Sequence, residues 1–226
     1  MGLGEKLKEM VNEESGLLKT LLWLYNHIPL KNSIKKRGNT VKVNLAFLKK
    51  CKVRIYGRNN TIIIEKGSRL TRCNFIIQGN DNVIKLSDFT TANCAEFYIE
   101  DDGNEITVNR HTNFAGKIHL ACTEGKSITI GEDCLFSSDV VIRTGDSHSV
   151  TDLEGNRINQ AKDVKIGNHV WIGHRALLNK GVEIADNSII GTGAVVTRKF
   201  DRPNVCIAGN PAKIVKEDVN WKNERF

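Results

Sequence analysis

Long apolar runs, paired cysteines and acidic residues are what this chain has little of. Nowhere do about 18 apolar residues follow one another, the least a membrane-spanning helix needs. Residues 1 to 16 are charged rather than apolar, so neither a spanning helix nor a signal peptide is expected, and the protein is placed in the cytoplasm. After the N-terminal Met-Gly, Lys6 stands where a myristoylation signal wants Ser or Thr. The six cysteines (Cys51, Cys73, Cys94, Cys122, Cys134, Cys206) form no CxxC pair and no Cys/His cluster at zinc spacing, which points to reduced structural thiols and no metal. Acids are outnumbered, 26 against 33 Lys and Arg, and a net charge of +7 favours an anionic partner: a phosphate-bearing cofactor, an acidic polymer or a membrane surface.

What is present is a repeat. Ile166, Ile172, Leu178, Ile184, Ile190 and Val196 recur every sixth residue, and Val170, Ala176, Val182, Ser188 and Ala194 follow the first five by four. A helix repeats near 3.6 residues and a strand near 2, so neither explains a sustained period of six. Short flat segments joined by turns and stacked as a parallel β-solenoid do, with a large aliphatic and a small residue pointing inward. Gly167, Gly173 and Gly191 suit turns where a Cβ costs energy.

A looser repeat precedes it. Ile64, Leu86, Val108 and Ile130 are 22 apart, and the following anchors come at steps of six: Leu70 and Ile76, Ala92 and Tyr98, Phe114 and Leu120, Phe136 and Ile142. Two six-residue steps and one of ten give three faces per coil, with a bulge at Gly79, Gly103 and Gly125. Between Ile142 and Ile166 the chain spends 24 residues where earlier coils spend ten, so Arg143 to Asp163 carries about 14 extra residues as a loop. Residues 3 to 30 read as helical until Pro29. Leu17, Leu18, Leu21, Leu22 and Leu24 form an apolar patch near Trp23, Tyr25 and flanking lysines, which suits a cap on an open solenoid end or a peripheral membrane contact through residues 17–37. The organisation expected is an N-terminal helical segment (1–38), a β-helix domain (39–216) with loop 143–163, and a tail (217–226).

The hexapeptides, Asn168-His169-Val170-Trp171-Ile172-Gly173 and the closing Ala208-Gly209-Asn210-Pro211-Ala212-Lys213 resemble the hexapeptide-repeat acyltransferases, in the branch of galactoside, maltose and polysaccharide O-acetyltransferases. The resemblance spans roughly residues 60 to 216. It implies an all-β, left-handed parallel β-helix with an inserted active-site loop, acetyl-CoA as co-substrate, a saccharide acceptor in bacterial surface polysaccharide modification, and a homotrimer with sites between subunits. His148, in the polar run Arg143-Thr144-Gly145-Asp146-Ser147-His148-Ser149, matches the family's general base, since a neutral imidazole suits removal of a hydroxyl proton near neutral pH. Asp146 is a candidate to orient it, as is a backbone carbonyl. The N–H of His174 matches the oxyanion donor. Gly173 allows close approach of the cofactor, and Trp171 suits its pantetheine arm or the acceptor. Ser137, Thr192 and Thr197 match cofactor-contacting positions, and Arg198, Lys213 and Lys216 offer charge to phosphates. Lysine at the last two gives a point charge without arginine's fork.

Three other functions share the scaffold. An N-acetyltransferase of an amino-sugar nucleotide uses the same cofactor. A γ-carbonic anhydrase needs three zinc-binding histidines, but His169 and His174 fall at phases three and two of their hexapeptides, where the anhydrase pair resembles phases two and one, and the third is unsupported. A non-enzymatic sugar-binding solenoid leaves the histidine loop without a purpose. No nucleic-acid motif is present.

Overall fold

The computed structural model describes Val11, residues 16–27 and residues 32–224. The expected helical start at Leu3, Leu7 and Met10, and its stop at Pro29, lie outside them. From Ser33 onward the backbone winds as a three-sided parallel β-helix. The first sheet has eight strands from Ser33–Lys35 to Val195–Val196, the second seven from Thr40–Val43 to Glu183–Ile184, and the third nine from Phe47–Lys49 to Ala212–Lys216.

Like stacks on like inside. Ile64, Leu86, Val108, Ile130, Ile166 and Ile184 form one buried column, and Leu70, Ala92, Phe114, Phe136, Ile172, Ile190 and Ile207 another. Early coils advance 22 residues per turn (Leu86 to Val108), late ones 18 (Ile166 to Ile184), because the late ones lack the bulge. Gly167, Gly173 and Gly191 are required by close coil contact rather than by a positive φ: a Cβ on Gly173 would lie 2.7 Å from the Ile190 carbonyl oxygen.

Two anchors are corrected. Ile76 and Tyr98 face outward, and Phe75 and Phe97 take the inward places, their rings stacked at 4.8 Å. The step there is five residues because a single left-handed residue, Arg72 or Cys94, turns each corner. The later corner, Ala115-Gly116-Lys117, is one residue longer and restores six. A second correction concerns the N-terminal segment read to residue 38: the described helix α1 spans Gly16–His27, and Ser33–Lys35 is already a strand paired with Lys52–Arg54.

The bulges have a structural purpose that the glycines alone do not reveal. Asn39, Asn60, Asn82 and Asn104 form a buried ladder at one corner. Each side-chain oxygen accepts from the backbone N–H one coil on, at 2.8–3.1 Å, while the amide group donates to the neighbouring ladder oxygen or a bulge carbonyl. The open first coil is closed in a related way. Leu18 and Leu22 of α1 pack with Val11 and Leu45, and Asn26 and Asn32 satisfy edge groups that a preceding coil would otherwise meet, at Ala46, Leu48 and Cys51. At the other end Cys206–Gly209 and Ala212–Lys216 form an antiparallel hairpin. The tail then folds back, so that Trp221 stacks on His169 at 4.3 Å and donates to its carbonyl.

Replacing Asn82 by Ala removes the acceptor of the buried Asn104 N–H and the side-chain donor to the Asp101 carbonyl, while the Asn60 oxygen keeps the residue-82 backbone N–H. Each orphaned group costs about 1–3 kcal/mol, so Asn82→Ala should lower unfolding free energy by about 2–4 kcal/mol in denaturant titration.

Candidate active site

The expected insertion is found where the spacing placed it. Thr129 pairs with Lys165 across 36 residues, where Thr107 pairs with Thr129 across 22, a difference of 14. The loop leaves the first sheet at Val140–Arg143 and rejoins the scaffold in the second sheet at Val164–Ile166. Its neck is closed by the Lys162 N–H donating to the Thr144 carbonyl at 2.9 Å. Gly145 passes so close to the preceding coil that a Cβ would lie 2.5 Å from Thr123. Ser147 adopts φ 66°, and its hydroxyl accepts from Arg143 at 2.9 Å.

One buried side chain organises the excursion. Asn159 donates to the Asp146 carboxylate at 2.9 Å and to the His148 carbonyl at 2.8 Å, and its oxygen accepts from the Val150 N–H at 2.8 Å and from Arg157 at 3.1 Å. Both amide hydrogens and both lone pairs are used. Asp146 also pairs with Lys180, whose ammonium donates in addition to the Asn159 carbonyl. Arg157 reaches the scaffold as a fork onto both oxygens of Glu124. His148 is exposed, and among the described residues its imidazole has no hydrogen-bonding partner. The Asp146 carboxylate therefore meets Lys180 and Asn159, not the His148 ring. Asn159, Lys180, Glu124 and Arg157 escape a sequence reading: Lys180 is 34 residues from Asp146, and no periodicity joins them.

The other expected site residues gather at two further places. Ser137, Gly173, His174 and Thr192 lie at or beside the corners between third and first sheets. Trp171 stands beside them on the outer face of the third, its indole 3.4 Å from the Ser137 hydroxyl. His174 Nδ1 lies 2.9 Å from the Ser138 carbonyl and 2.8 Å from its hydroxyl; a carbonyl only accepts, so Nδ1 carries the hydrogen. The His174 carbonyl accepts from Gly193, whereas its N–H has no acceptor among the described residues. Thr197 and Arg198 occupy the corner below the loop, in a cleft of about 390 Å³ that Lys162, Lys165, Lys180 and Lys199 also line. Lys213 and Lys216 are exposed on the terminal hairpin. Within one chain, then, His148 and the His174 N–H sit at different corners. Of the histidines weighed for zinc, His169 lies under Trp221 with Nδ1 3.1 Å from the Asn187 oxygen, one corner away from His174.

The Arg157 guanidinium holds the Glu124 carboxyl below its usual 4.5, and Lys180 holds Asp146 below its usual 3.8. Both folded values lie under the unfolded ones, so the clamps contribute fully above 4.5 and 3.8 and are lost as pH falls through the lowered values. Protection of residues 146–159 against hydrogen exchange, taken relative to the intrinsic rate at each pH, should stay flat from neutral pH down to the ordinary carboxylate range and fall below it, while Asn159→Ala should expose the loop to proteases at neutral pH with little change in melting temperature.

Residues 163–198 match the family model "Bacterial transferase hexapeptide (six repeats)". Over 101 residues the chain is 38% identical to the polysialic acid O-acetyltransferase of Escherichia coli O1:K1, covering 44% of this chain and 32% of that one. Over 114 residues it is 34% identical to the galactoside O-acetyltransferase of Escherichia coli K12, covering 50% and 55%. The matched stretches thus span between a third and about half of those relatives. Among solved structures, a polysialic acid O-acetyltransferase superposes with a TM-score of 0.77 at 29% identity over 86% of this chain and 92% of its own, and a polysialic-acid-specific acetyltransferase with 0.77 at 28% over 86% and 84%. Repeat, register and superposition together make this chain a left-handed β-helix built on hexapeptide repeats, similar in fold to the polysialic acid O-acetyltransferases.

Proposed function

We propose that the protein transfers an acetyl group from acetyl-CoA to a hydroxyl of a saccharide, with bacterial surface polysaccharide as the acceptor class. The observation that carries this reading is the His148 imidazole, which has no partner among the described residues and is held out on a loop whose backbone Asn159 fixes at His148 and Val150. Nothing in the stacking of the coils needs that loop. The polysialic acid and galactoside O-acetyltransferases among the relatives, and the surplus of cations, support the acceptor class.

The groups present fit acetyl-CoA. The His174 N–H is an unused donor beside Gly173, Trp171 offers a flat apolar surface, and Arg198, Lys213 and Lys216 are exposed cations for phosphates, with Ser137, Thr192 and Thr197 as hydroxyl donors. When bound it supplies an activated acetyl thioester. His148 would take the acceptor's hydroxyl proton as the oxygen bonds to the acetyl carbon, and would return it to the departing sulfur as the C–S bond breaks. The His174 N–H would donate to the carbonyl oxygen as negative charge develops there, a contribution worth about 3–4 kcal/mol where comparable donors have been removed. Asp146 acts here by setting the backbone beneath His148 through Asn159 and Lys180.

The separation of these groups favours a homotrimer. Val141, Leu177 and Val195 make an outward apolar strip on the first sheet, and Leu135, Trp171 and Ile189 one on the third, while the second carries Thr129, Lys165 and Glu183 at equivalent places. Two unlike sticky faces flanking one corner are what a closed head-to-tail ring uses. Such a ring would bring the His148 corner of one subunit to the His174 corner of the next.

His148→Ala should lower kcat/KM for acetyl transfer to a polysaccharide hydroxyl by about 10²–10⁴-fold with coenzyme A affinity retained. Unchanged turnover removes the assignment, and preference for an amino sugar would redirect it to N-acetylation. Co-expressing His148→Ala with Thr192→Trp, which fills the exposed His174 corner without entering the coil contact, should restore partial activity relative to either variant alone if sites are shared; a monomer in solution scattering rules sharing out.

A further inference from the structure

The positive charge is not spread over the molecule. Between Asn32 and Phe75, the stretch forming the first coils, there are twelve Lys and Arg and a single acid, Glu65, although the whole chain is only +7; everything outside this stretch is net acidic. Lys35, Lys36, Arg37, Lys42, Lys49, Lys50, Lys52, Arg54, Arg58, Arg69 and Arg72 are all exposed, and among the described residues none of them forms an ion pair. The first strands of the three sheets, Ser33–Lys35, Thr40–Val43 and Phe47–Lys49, lie within this collar, so the charge encircles one end of the solenoid.

The same end carries α1. Its Leu18 and Leu22 are used in packing, yet Leu17, Leu21 and Leu24, which share a face at i, i+4 and i+7, are 51–66% exposed, and Trp23 is 58% exposed. The helix contains one lysine and no acid. Exposed leucines within a ring of unpaired cations match an anionic lipid surface, where acyl boundary and headgroup charge are met at once. An acidic glycan would use the cations and leave the leucines in water. We propose that the N-terminal end of the β-helix docks peripherally on anionic membranes. The His148 loop begins five strand steps from Ser33–Lys35, so the active corner would stand roughly 24 Å from the bilayer, at about 4.8 Å per step, within reach of a lipid-linked glycan of several sugars. This last point rests on the transferase reading; the docking does not.

The test is flotation of the full chain with vesicles of phosphatidylcholine alone and of phosphatidylcholine with phosphatidylglycerol, at low and high salt. Binding is expected to the anionic vesicles only and to be lost in high salt. Lys35→Glu with Lys36→Glu should weaken it by at least about tenfold. Leu21→Glu with Leu24→Glu should abolish it, with turnover on a soluble acceptor and thermal unfolding unchanged. Should these variants fail to fold, brominated phosphatidylglycerol vesicles should quench the native protein's fluorescence, and Trp23→Phe should remove that quenching. Absence of flotation, insensitivity to the leucine changes, or salt-sensitive retention on soluble polysialic acid with vesicles ignored would each overturn the proposal, the last in favour of a polymer-binding collar. Flotation is read without turnover, so its failure and that of the transferase reading are separate.

Discussion

Everything in this molecule depends on register between coils. Parallel strands one coil apart bond through their backbones, and a slip by one residue would turn every inward side chain outward. Stacked columns of Ile, Leu and Phe make such a slip costly in apolar burial, and the asparagine ladder makes it costly in unpaired polar groups. The two devices are complementary: apolar columns fix which face points inward, whereas directional hydrogen bonds fix the height at which each bulge meets the next. Once register is held, a 14-residue excursion can leave between two coils without disturbing either.

The loop shows how a mobile class of structure is made definite. Its neck is closed by backbone pairing, Glu124 grips Arg157 from the preceding coil, and Lys180 grips Asp146 from a later hexapeptide coil. Three separate parts of the scaffold thus share one short segment, and Asn159 ties their contributions together at its centre. What stays unengaged is the imidazole itself, next to a backbone that is not free to move.

Much of this was legible beforehand because stacked coils leave arithmetic in the sequence. Ile166 to Val196 announce the solenoid, and the 24-residue interval from Ile142 to Ile166 locates and sizes the loop. The reading failed where local geometry broke the count. Phe75 and Phe97 replace Ile76 and Tyr98 because a one-residue corner is shorter than the period assumes, and both choices are apolar enough to pass. The strand Ser33–Lys35 was hidden inside an apparent helical segment, as three residues are too few to show alternation. The loop clamps were illegible for a different reason: a polar contact between residues 34 apart has no periodic signature, and only the folded register makes Asp146 and Lys180 neighbours.

The treatment of the two ends has a consequence beyond stability. A parallel β-helix is a template on which another strand can add at either end, indefinitely in principle, as in a growing fibril. Here Asn26 and Asn32 occupy the edge groups of the first coil with side chains that offer no continuing ladder, and the antiparallel hairpin after Cys206 reverses direction on the last. Elongation of the third sheet is therefore terminated at both of its ends.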